Sequence, residues 1–230
     1  TFKTFVLLEA LEQGALPFDT VSGTVSMVDP GTLEPYSVEG RGGTLTSITS
    51  ASSNGAFVRL NQVLGPQNVV NLATRMGLDN LPSNAARIPS LPLGVSDQTP
   101  LQMASAYSAI PNGGVQNPPY FIERIEDRAG NVLWEHEGEG RRVLSPRTAC
   151  LASEILAANV AGGTGRNAAL PGQPAAGKTG TTTGPSDVWF IGFTPYLSTA
   201  VWVGHPEQGA ALLDGEGEPI SGSTYLSQLP

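Results

Sequence analysis

Residues 175–192 read AAGKTGTTTGPSDVWFIG, and this stretch decides the interpretation of the carboxy-terminal half of the chain. Its pattern predicts a strand over 175–181, a threonine-rich turn, and a second strand over 187–194. A third predicted strand over 198–204 follows after the short turn Thr194-Pro195-Tyr196-Leu197. Because so short a turn reverses the chain, the last two strands form an antiparallel hairpin. The sequence therefore predicts a sheet that ends in these three strands.

The core of that stretch, Lys178-Thr179-Gly180-Thr181, combines a cation, two hydroxyls and a glycine on one strand. Alternation puts Lys178 and Gly180 on one face and Thr179 and Thr181 on the other. Gly180 lets a substrate backbone approach closely. The pattern suits a strand edge that holds a carboxylate beside a reacting carbonyl. Alone, it fits better with an ordinary glycine-containing edge strand closed by a threonine-rich turn, so the rest of the chain must decide.

Helical patterns precede these strands and indicate one α/β unit without internal repeats. Residues 15–43 are rich in Gly, Pro, Ser and Thr and are predicted to be an extended loop, as is the tail from Gly209. Two strands over 120–126 and 132–135 are predicted to form a hairpin. The predicted helices span residues 2–13, 44–49, 56–63, 66–76, 100–109 and 146–160.

Composition excludes several classes of function. Twelve basic against 20 acidic residues give a net charge of −8, which argues against nucleic acid as a partner. Cys150 is the only cysteine, so neither an internal disulfide nor a thiolate metal site is expected. His136 and His205 stand far apart without a partner motif, so no metal site is predicted. We expect that no metal or organic cofactor is needed.

Two further polar groups lie far from Lys178 in the sequence. Lys3 opens the first predicted helix, and Ser52-Ser53-Asn54 follows the second. Taken singly, Lys3 would be a solvated helix lysine and Ser52-Ser53-Asn54-Gly55 a common turn. Together, x-x-Lys, Ser-x-Asn and Lys-Thr-Gly stand in the order of a motif trio found in serine acyl-transferring enzymes.

With these motifs the chain resembles the transpeptidase domain of bifunctional, class A penicillin-binding proteins. The stretches that carry the resemblance are TFKTFVLLEALEQG, TLTSITSASSNGAFVRL, TPLQMASAYSAIPNGG, GGTGRNAA, GKTGTTTGPSDVWFIGFTP and TAVWVGHPE. The resemblance implies the penicillin-binding protein/β-lactamase-like α/β fold, an antiparallel sheet flanked by helices. It also implies that 1–230 is the carboxy-terminal part of a D,D-transpeptidase domain. The family's glycosyltransferase domain is not in this sequence.

Site roles follow from the same resemblance. The nucleophilic serine of the family would be the residue before Thr1. Lys3, Ser52 and Lys178 would be catalytic, with Lys3 as the base and Ser52 as a proton relay. Substrate would be bound by Asn54, Thr179, Gly180 and Thr181, and the backbone N–H of Thr181 would donate to the oxyanion. For Lys3 to act as a base, its pKa must fall from about 10.4 toward 7–8, which costs about 4 kcal/mol. Burial and the charge of Lys178 would both lower it.

The expected substrate is a peptidoglycan stem peptide ending in D-Ala-D-Ala, with β-lactams as covalent inhibitors. The expected location is the extracytoplasmic face of the bacterial cell membrane, with the amino-terminal part of the same protein as a partner. Asp187, Trp189 and Phe190 would back the reactive strand, and the two aromatic residues are predicted to belong to the core.

Three alternatives compete with this interpretation. A β-lactamase of the same fold needs a deacylating glutamate in an E-x-x-L-N setting, and Glu154 to Asn159 does not fit that spacing. A β-lactam sensor would use the same pocket for binding alone. Thr1 could itself be an N-terminal nucleophile, but that mechanism leaves Lys3 and the other motifs unexplained.

Overall fold

The computed structural model describes residues 1–182, 186–204, 210, 212 and 213. All six predicted helices are present, with ends within a few residues of those expected. Thr99 and Gln102 form the predicted capping box, in which each side chain bonds the other residue's backbone N–H. The helices are α1 (Lys3–Glu12), α2 (Leu45–Ser50), α3 (Asn54–Leu64), α4 (Pro66–Arg75), α5 (Pro100–Ser108) and α6 (Pro146–Gly162).

The strands include the three predicted from the carboxy-terminal motifs, which pair antiparallel in the order β11-β10-β9. In this register Lys178 lies opposite Ile191 and Gly180 lies opposite Trp189. The predicted hairpin is also confirmed, as β6 and β7. In chain order the strands are β1 (Thr20–Val21), β2 (Val25–Val28), β3 (Pro35–Val38), β4 (Gly43–Thr44), β5 (Val115–Gln116), β6 (Arg124–Glu126), β7 (Val132–Glu135), β8 (Arg141–Arg142), β9 (Ala176–Thr181), β10 (Asp187–Phe193) and β11 (Ser198–Gly204).

Helix α1 lies at the centre of the core. Nearly all of its residues are buried, because α6, α3 and α4 pack around it. A helix as rich in apolar residues as this one is stable in such a position, because it buries side chains on all of its faces. Lys3, in its first turn, is consequently drawn into the interior and is only 8% exposed.

The prediction of an extended loop over 15–43 was wrong. This segment contains β1 to β4, which form two small antiparallel pairs. Strands of two to four residues are too short to show a clear alternation, which is why the pattern missed them. The β5–β8 pair was missed for the same reason.

Gly55 explains how this segment holds the start of α3. A Cβ atom at Gly55 would lie 2.6 Å from the carbonyl oxygen of Val38, so only glycine lets the strand segment pack there. This close approach fixes the turn that carries Ser52, Ser53 and Asn54.

The predicted tail from Gly209 lies almost entirely outside the described residues. No helix in the described part of the chain is long and apolar enough to span a bilayer.

Candidate active site

Two lysines from distant parts of the chain meet at one serine. Lys3 Nζ, at the start of α1, donates to Ser52 Oγ at 3.1 Å, and Lys178 Nζ, on β9, donates to the same oxygen at 2.8 Å. Lys178 has no solvent exposure. The structure therefore brings together the three residues that the sequence analysis assigned to catalysis.

Burial makes both amines weaker bases. It lowers the pKa of Lys3 from 10.5 to about 8. Burial, together with the charge of Lys3, lowers the pKa of Lys178 to about 7. The sequence analysis expected the charge of Lys178 to act on Lys3; the larger depression instead falls on the more deeply buried Lys178. Either amine can therefore lose its proton near neutral pH.

The turn at Ser52 is held in an unusual backbone conformation. Ser52 has φ of +52°, in the left-handed region that favours glycine. Lys3 Nζ also donates to the carbonyl oxygen of Ser52 at 2.7 Å and to Asn54 Oδ1 at 2.6 Å. Three acceptors thus surround the three donors of Lys3, and the amine fixes both ends of the Ser-x-Asn motif.

The end of β9 forms one wall of an open cleft of about 470 Å³. Thr179, Gly180 and Thr181 line it together with Lys3, Ser52 and Asn54. A Cβ atom at Gly180 would lie 2.7 Å from the Thr1 nitrogen, so the glycine is required for the start of α1 to approach the strand. Six of the seven predicted site residues therefore line one cleft, and Lys178 lies buried beneath it.

A chain of hydrogen bonds from Thr179 through the half-buried Thr164, which also lines the cleft, to the buried Asn159 was missed by the sequence analysis. Asn159 Nδ2 donates to the carbonyl oxygen of Gly177 at 2.8 Å, which turns its Oδ1 toward Thr164. Thr164 donates to that oxygen at 3.1 Å and accepts from Thr179 at 2.7 Å. The Thr179 hydroxyl therefore donates its hydrogen bond to another residue of the protein and not into the cleft. The visible signal was the threonine in GGTG, a segment that the sequence analysis counted among the stretches that carry the family resemblance without giving Thr164 a role.

Tyr107 was also missed. Its ring is completely buried, and its hydroxyl donates to the carbonyl oxygen of Thr1 at 2.9 Å and lies 2.6 Å from Thr4 Oγ1. It ties α5 to the first turn of α1. A tyrosine within an apolar helix shows no sign of this in the sequence, because its partners are more than 100 residues away.

Trp189 and Phe190, which the sequence analysis assigned to the core, are both half-buried. Trp189 packs against the core and, with Trp202, also lines a second cavity on the far side of the end of β9. Asp187 accepts a hydrogen bond from Trp202 Nε1 at 2.9 Å. The strand behind the motif therefore contributes a surface as well as core.

Comparison with known proteins agrees with this geometry. The family described as penicillin binding protein transpeptidase domain matches residues 1–217. Penicillin-binding protein 1A of Aquifex aeolicus is 40% identical over 162 residues, which cover 70% of this chain and 22% of that protein. Penicillin-binding protein 1A of Neisseria gonorrhoeae is 33% identical over 244 residues, covering 100% of this chain and 30% of that protein.

The solved structure of PonA1 from Mycobacterium tuberculosis in complex with penicillin V superposes with a TM-score of 0.80. It shares 28% identity, and the match covers 98% of this chain and 65% of that one. The chain belongs to the penicillin-binding protein transpeptidase family and has its fold. It spans less than a third of the length of the two curated relatives described above.

Proposed function

We propose that residues 1–230 are the carboxy-terminal part of the D,D-transpeptidase domain of a longer protein, which cross-links peptidoglycan stem peptides and is acylated by β-lactams. One observation carries this proposal. Two buried lysines with lowered pKa values, Lys3 and Lys178, donate to the same serine oxygen at the wall of an open cleft. Perturbed bases of this kind are typical of acyl-transfer sites.

The nucleophile is a serine attached to the Thr1 nitrogen. That nitrogen lies beside Gly180 on β9. A residue joined to it would lie one turn before Lys3, on the same side of α1. Its hydroxyl would then face Lys3 and Ser52, which supports the placement of the reaction in this cleft.

Proton transfer follows from the lysine–serine–lysine contact. Neutral Lys3 takes the proton of the serine hydroxyl as its oxygen attacks the carbonyl carbon of the D-Ala-D-Ala peptide bond. Ser52, which contacts both amines, returns a proton to the leaving amine of the terminal D-Ala as the C–N bond breaks. An acceptor amine then attacks the acyl-enzyme and the serine regains its proton; attack by water instead gives carboxypeptidase activity.

Substrate orientation comes from β9. Lys178 supplies a positive potential and Thr181, exposed on the cleft wall, donates to the terminal carboxylate. Thr179 can donate to it only by releasing Thr164, because its proton is held there. Asn54 contributes an amide to the substrate peptide, and the backbone N–H of Thr181 with that of the serine would hold the oxyanion.

The remaining length of the relatives leaves room for further domains. We propose that a glycosyltransferase domain and a membrane anchor precede this part of the chain. The transpeptidase domain would then lie at the extracytoplasmic face of the bacterial membrane. Neither a metal nor an organic cofactor takes part in the steps proposed.

The test uses the complete protein with a fluorescent penicillin. We expect one label per chain, with a mass increase equal to the whole β-lactam on the serine that precedes Thr1. A synthetic stem peptide should lose one D-Ala and form a cross-linked product when an acceptor amine is present. No label, or a label on another residue, would overturn the proposal.

The alternatives give different results in the same assay. A β-lactamase would release opened penicillin rapidly, but Glu154, the candidate considered for its base, is exposed on α6 beside Cys150 and does not line the cleft. A β-lactam sensor would be labelled without releasing D-Ala. Persistent labelling together with D-Ala release therefore distinguishes the transpeptidase from both.

A further inference from the structure

A third cavity, which we call the α5 cavity, has a volume of about 440 Å³. Its apolar wall is formed by Leu101, at the start of α5, and by Pro118 and Pro119, which follow β5. None of the described residues that line it also lines the active-site cleft. The α5 cavity is therefore separate from the catalytic groups.

Gln116 brings an unused acceptor to the α5 cavity. The residue is only 7% exposed, and its Nε2 donates to the carbonyl oxygen of Met76 at 2.8 Å and to Ser105 Oγ at 3.2 Å. Because a carbonyl can only accept, the orientation of the amide is settled, and no described residue donates to Oε1. Unlike the enclosed oxygens of Asn61 and Gln98, Gln116 Oε1 keeps surface that a ligand can reach. A nearly buried amide with its oxygen unpaired is uncommon in native proteins, so this atom points to a ligand.

The other polar groups of the α5 cavity also have free capacity. Ser105 Oγ accepts from Gln116, and its own proton goes to no described residue. Glu139 and Arg141 line the cavity, are exposed, and form no ion pair in the described part of the chain. Arg141 donates from Nη2 to the carbonyl oxygen of Arg75, which leaves its other guanidinium donors free. The cavity thus offers one amide acceptor, one hydroxyl donor and one charge of each sign.

We propose that the α5 cavity binds a short, extended peptide with free amino and carboxyl ends. A peptide unit carries one N–H and one carbonyl, which match Gln116 Oε1 and the Ser105 hydroxyl. The carboxyl end would accept from Arg141, the amino end would face Glu139, and small side chains would lie on the apolar wall. An N-acetylated sugar offers the same amide but neither charge, so the two free charges favour the peptide. This site goes beyond the proposed function, because it lies outside the cleft.

Trialanine and two depsipeptides test the peptide contact on the unaltered protein. In each depsipeptide an ester oxygen replaces one of the two peptide N–H groups, and the affinity of the complete protein for all three is measured by titration calorimetry. One depsipeptide should bind about three- to tenfold more weakly than trialanine, as expected for one lost hydrogen bond. Equal binding of all three compounds, or the absence of saturable trialanine binding, would overturn the proposal.

Two variants place the peptide in the α5 cavity. Ser105→Ala should weaken trialanine binding about three- to tenfold, whereas Ser108→Ala, on the same helix but outside the cavity lining, should not change it. Arg141→Gln should remove the preference for trialanine over trialanine amide, which lacks the carboxylate, and Arg128→Gln in the hairpin turn should keep that preference. An unchanged affinity in Ser105→Ala, or an unchanged preference in Arg141→Gln, would overturn the proposal.

Labelling with benzylpenicillin separates this site from the cleft. Trialanine should bind equally well before and after labelling, and loss of binding on labelling would place the peptide in the cleft and overturn the proposal. If the protein does not label, the proposed function fails, and the Ser105→Ala comparison on unlabelled protein still decides whether the α5 cavity binds the peptide. Tighter binding of N-acetylglucosamine than of trialanine would assign the cavity to a sugar amide and overturn the peptide.

Discussion

The active-site cleft and the β6–β7 hairpin distribute their side chains in opposite ways. In the cleft, charged Lys178 is completely buried, whereas near the hairpin Phe121 is 93% exposed. The two strands of the hairpin form a separate sheet and pair only with each other in the described part of the chain. The exposure of its side chains is therefore set by the local backbone and not by packing against other elements. The cleft is assembled from α1, the turn before α3, and β9. Long-range packing alone can force two cations into one interior, and it lowers their pKa values as a result.

The largest expected effect on acylation follows from replacing Lys3, the proposed base in the cleft. Lys3→Arg should reduce acylation by benzylpenicillin at least about 10³-fold, because a guanidinium stays protonated at any working pH. Rates of labelling with a fluorescent penicillin measure it. Arg128→Lys, in the hairpin turn, is the control and should label normally. Near-normal labelling of the arginine variant would make Lys3 structural and leave Ser52 or Lys178 as the base.

The pH dependence of acylation comes next. Because the mechanism needs Lys3 neutral and Lys178 protonated, and their pKa values are about 8 and 7, acylation should rise with pH to a maximum between about 7 and 8 and fall above it. Below pH 7 the rise should approach tenfold per unit. The apparent pKa belongs to the coupled pair. A profile that is flat between pH 5 and 8 would contradict the assignment of a lysine as the base.

A smaller effect is expected from changing Thr181, which is proposed to bind the terminal carboxylate of the substrate. Thr181→Val keeps the shape of the side chain but removes its hydroxyl. Loss of a hydrogen bond to a charged group costs about 1.5–3 kcal/mol. We therefore expect acylation to slow by about 10- to 100-fold. The thermal melt should barely change, because Thr181 is exposed. Thr24→Val, on an exposed residue outside the cleft, is the matched control. Unchanged acylation kinetics would exclude this role of Thr181.

Tyr107→Phe tests how the cleft depends on distant support. It removes the hydroxyl that bonds the first turn of α1, and we expect a loss of about 1–2 kcal/mol in the free energy of unfolding. Acylation should fall several-fold in protein that remains folded. Tyr196→Phe, at a residue that is 90% exposed, should change neither quantity. Equal behaviour of the two variants would show that the Tyr107 hydroxyl contributes nothing.

The smallest effect is expected near the hairpin. Phe121→Ala should change the free energy of unfolding by less than about 0.5 kcal/mol, because the ring already lies in solvent. Phe5→Ala, in the buried α1, should cost about 3–5 kcal/mol. Denaturant titration of both variants measures the contrast. A loss above about 1 kcal/mol for Phe121→Ala would mean that another part of the complete protein covers this ring.

Elements that depend on local signals were predictable. The capping box at Thr99 specifies the start of α5, and the short turn at 194–197 specifies the pairing of β10 with β11. The short strands within 15–43 were not predictable, because pairs of two to four residues are stabilised by their packing on α3. The prediction for Trp189 was incomplete, because it packs against the core as expected but also lines a cavity. Its alternation places it correctly on the strand, but the pattern cannot show that a cavity lies beside it.

The sequence by itself determined the residue types and the order of the three motifs, because acyl transfer needs a base, a relay and a cation of particular chemistry. The tertiary structure alone decided how strongly each lysine binds its proton and to which acceptor each hydroxyl donates. Only the folded chain shows that Lys178 is buried more deeply than Lys3, and that the Thr179 hydroxyl donates to Thr164, which in turn donates to Asn159. The physical reason is that a pKa and the direction of a hydrogen bond depend on distance and burial, which arise from contacts between residues far apart in the chain.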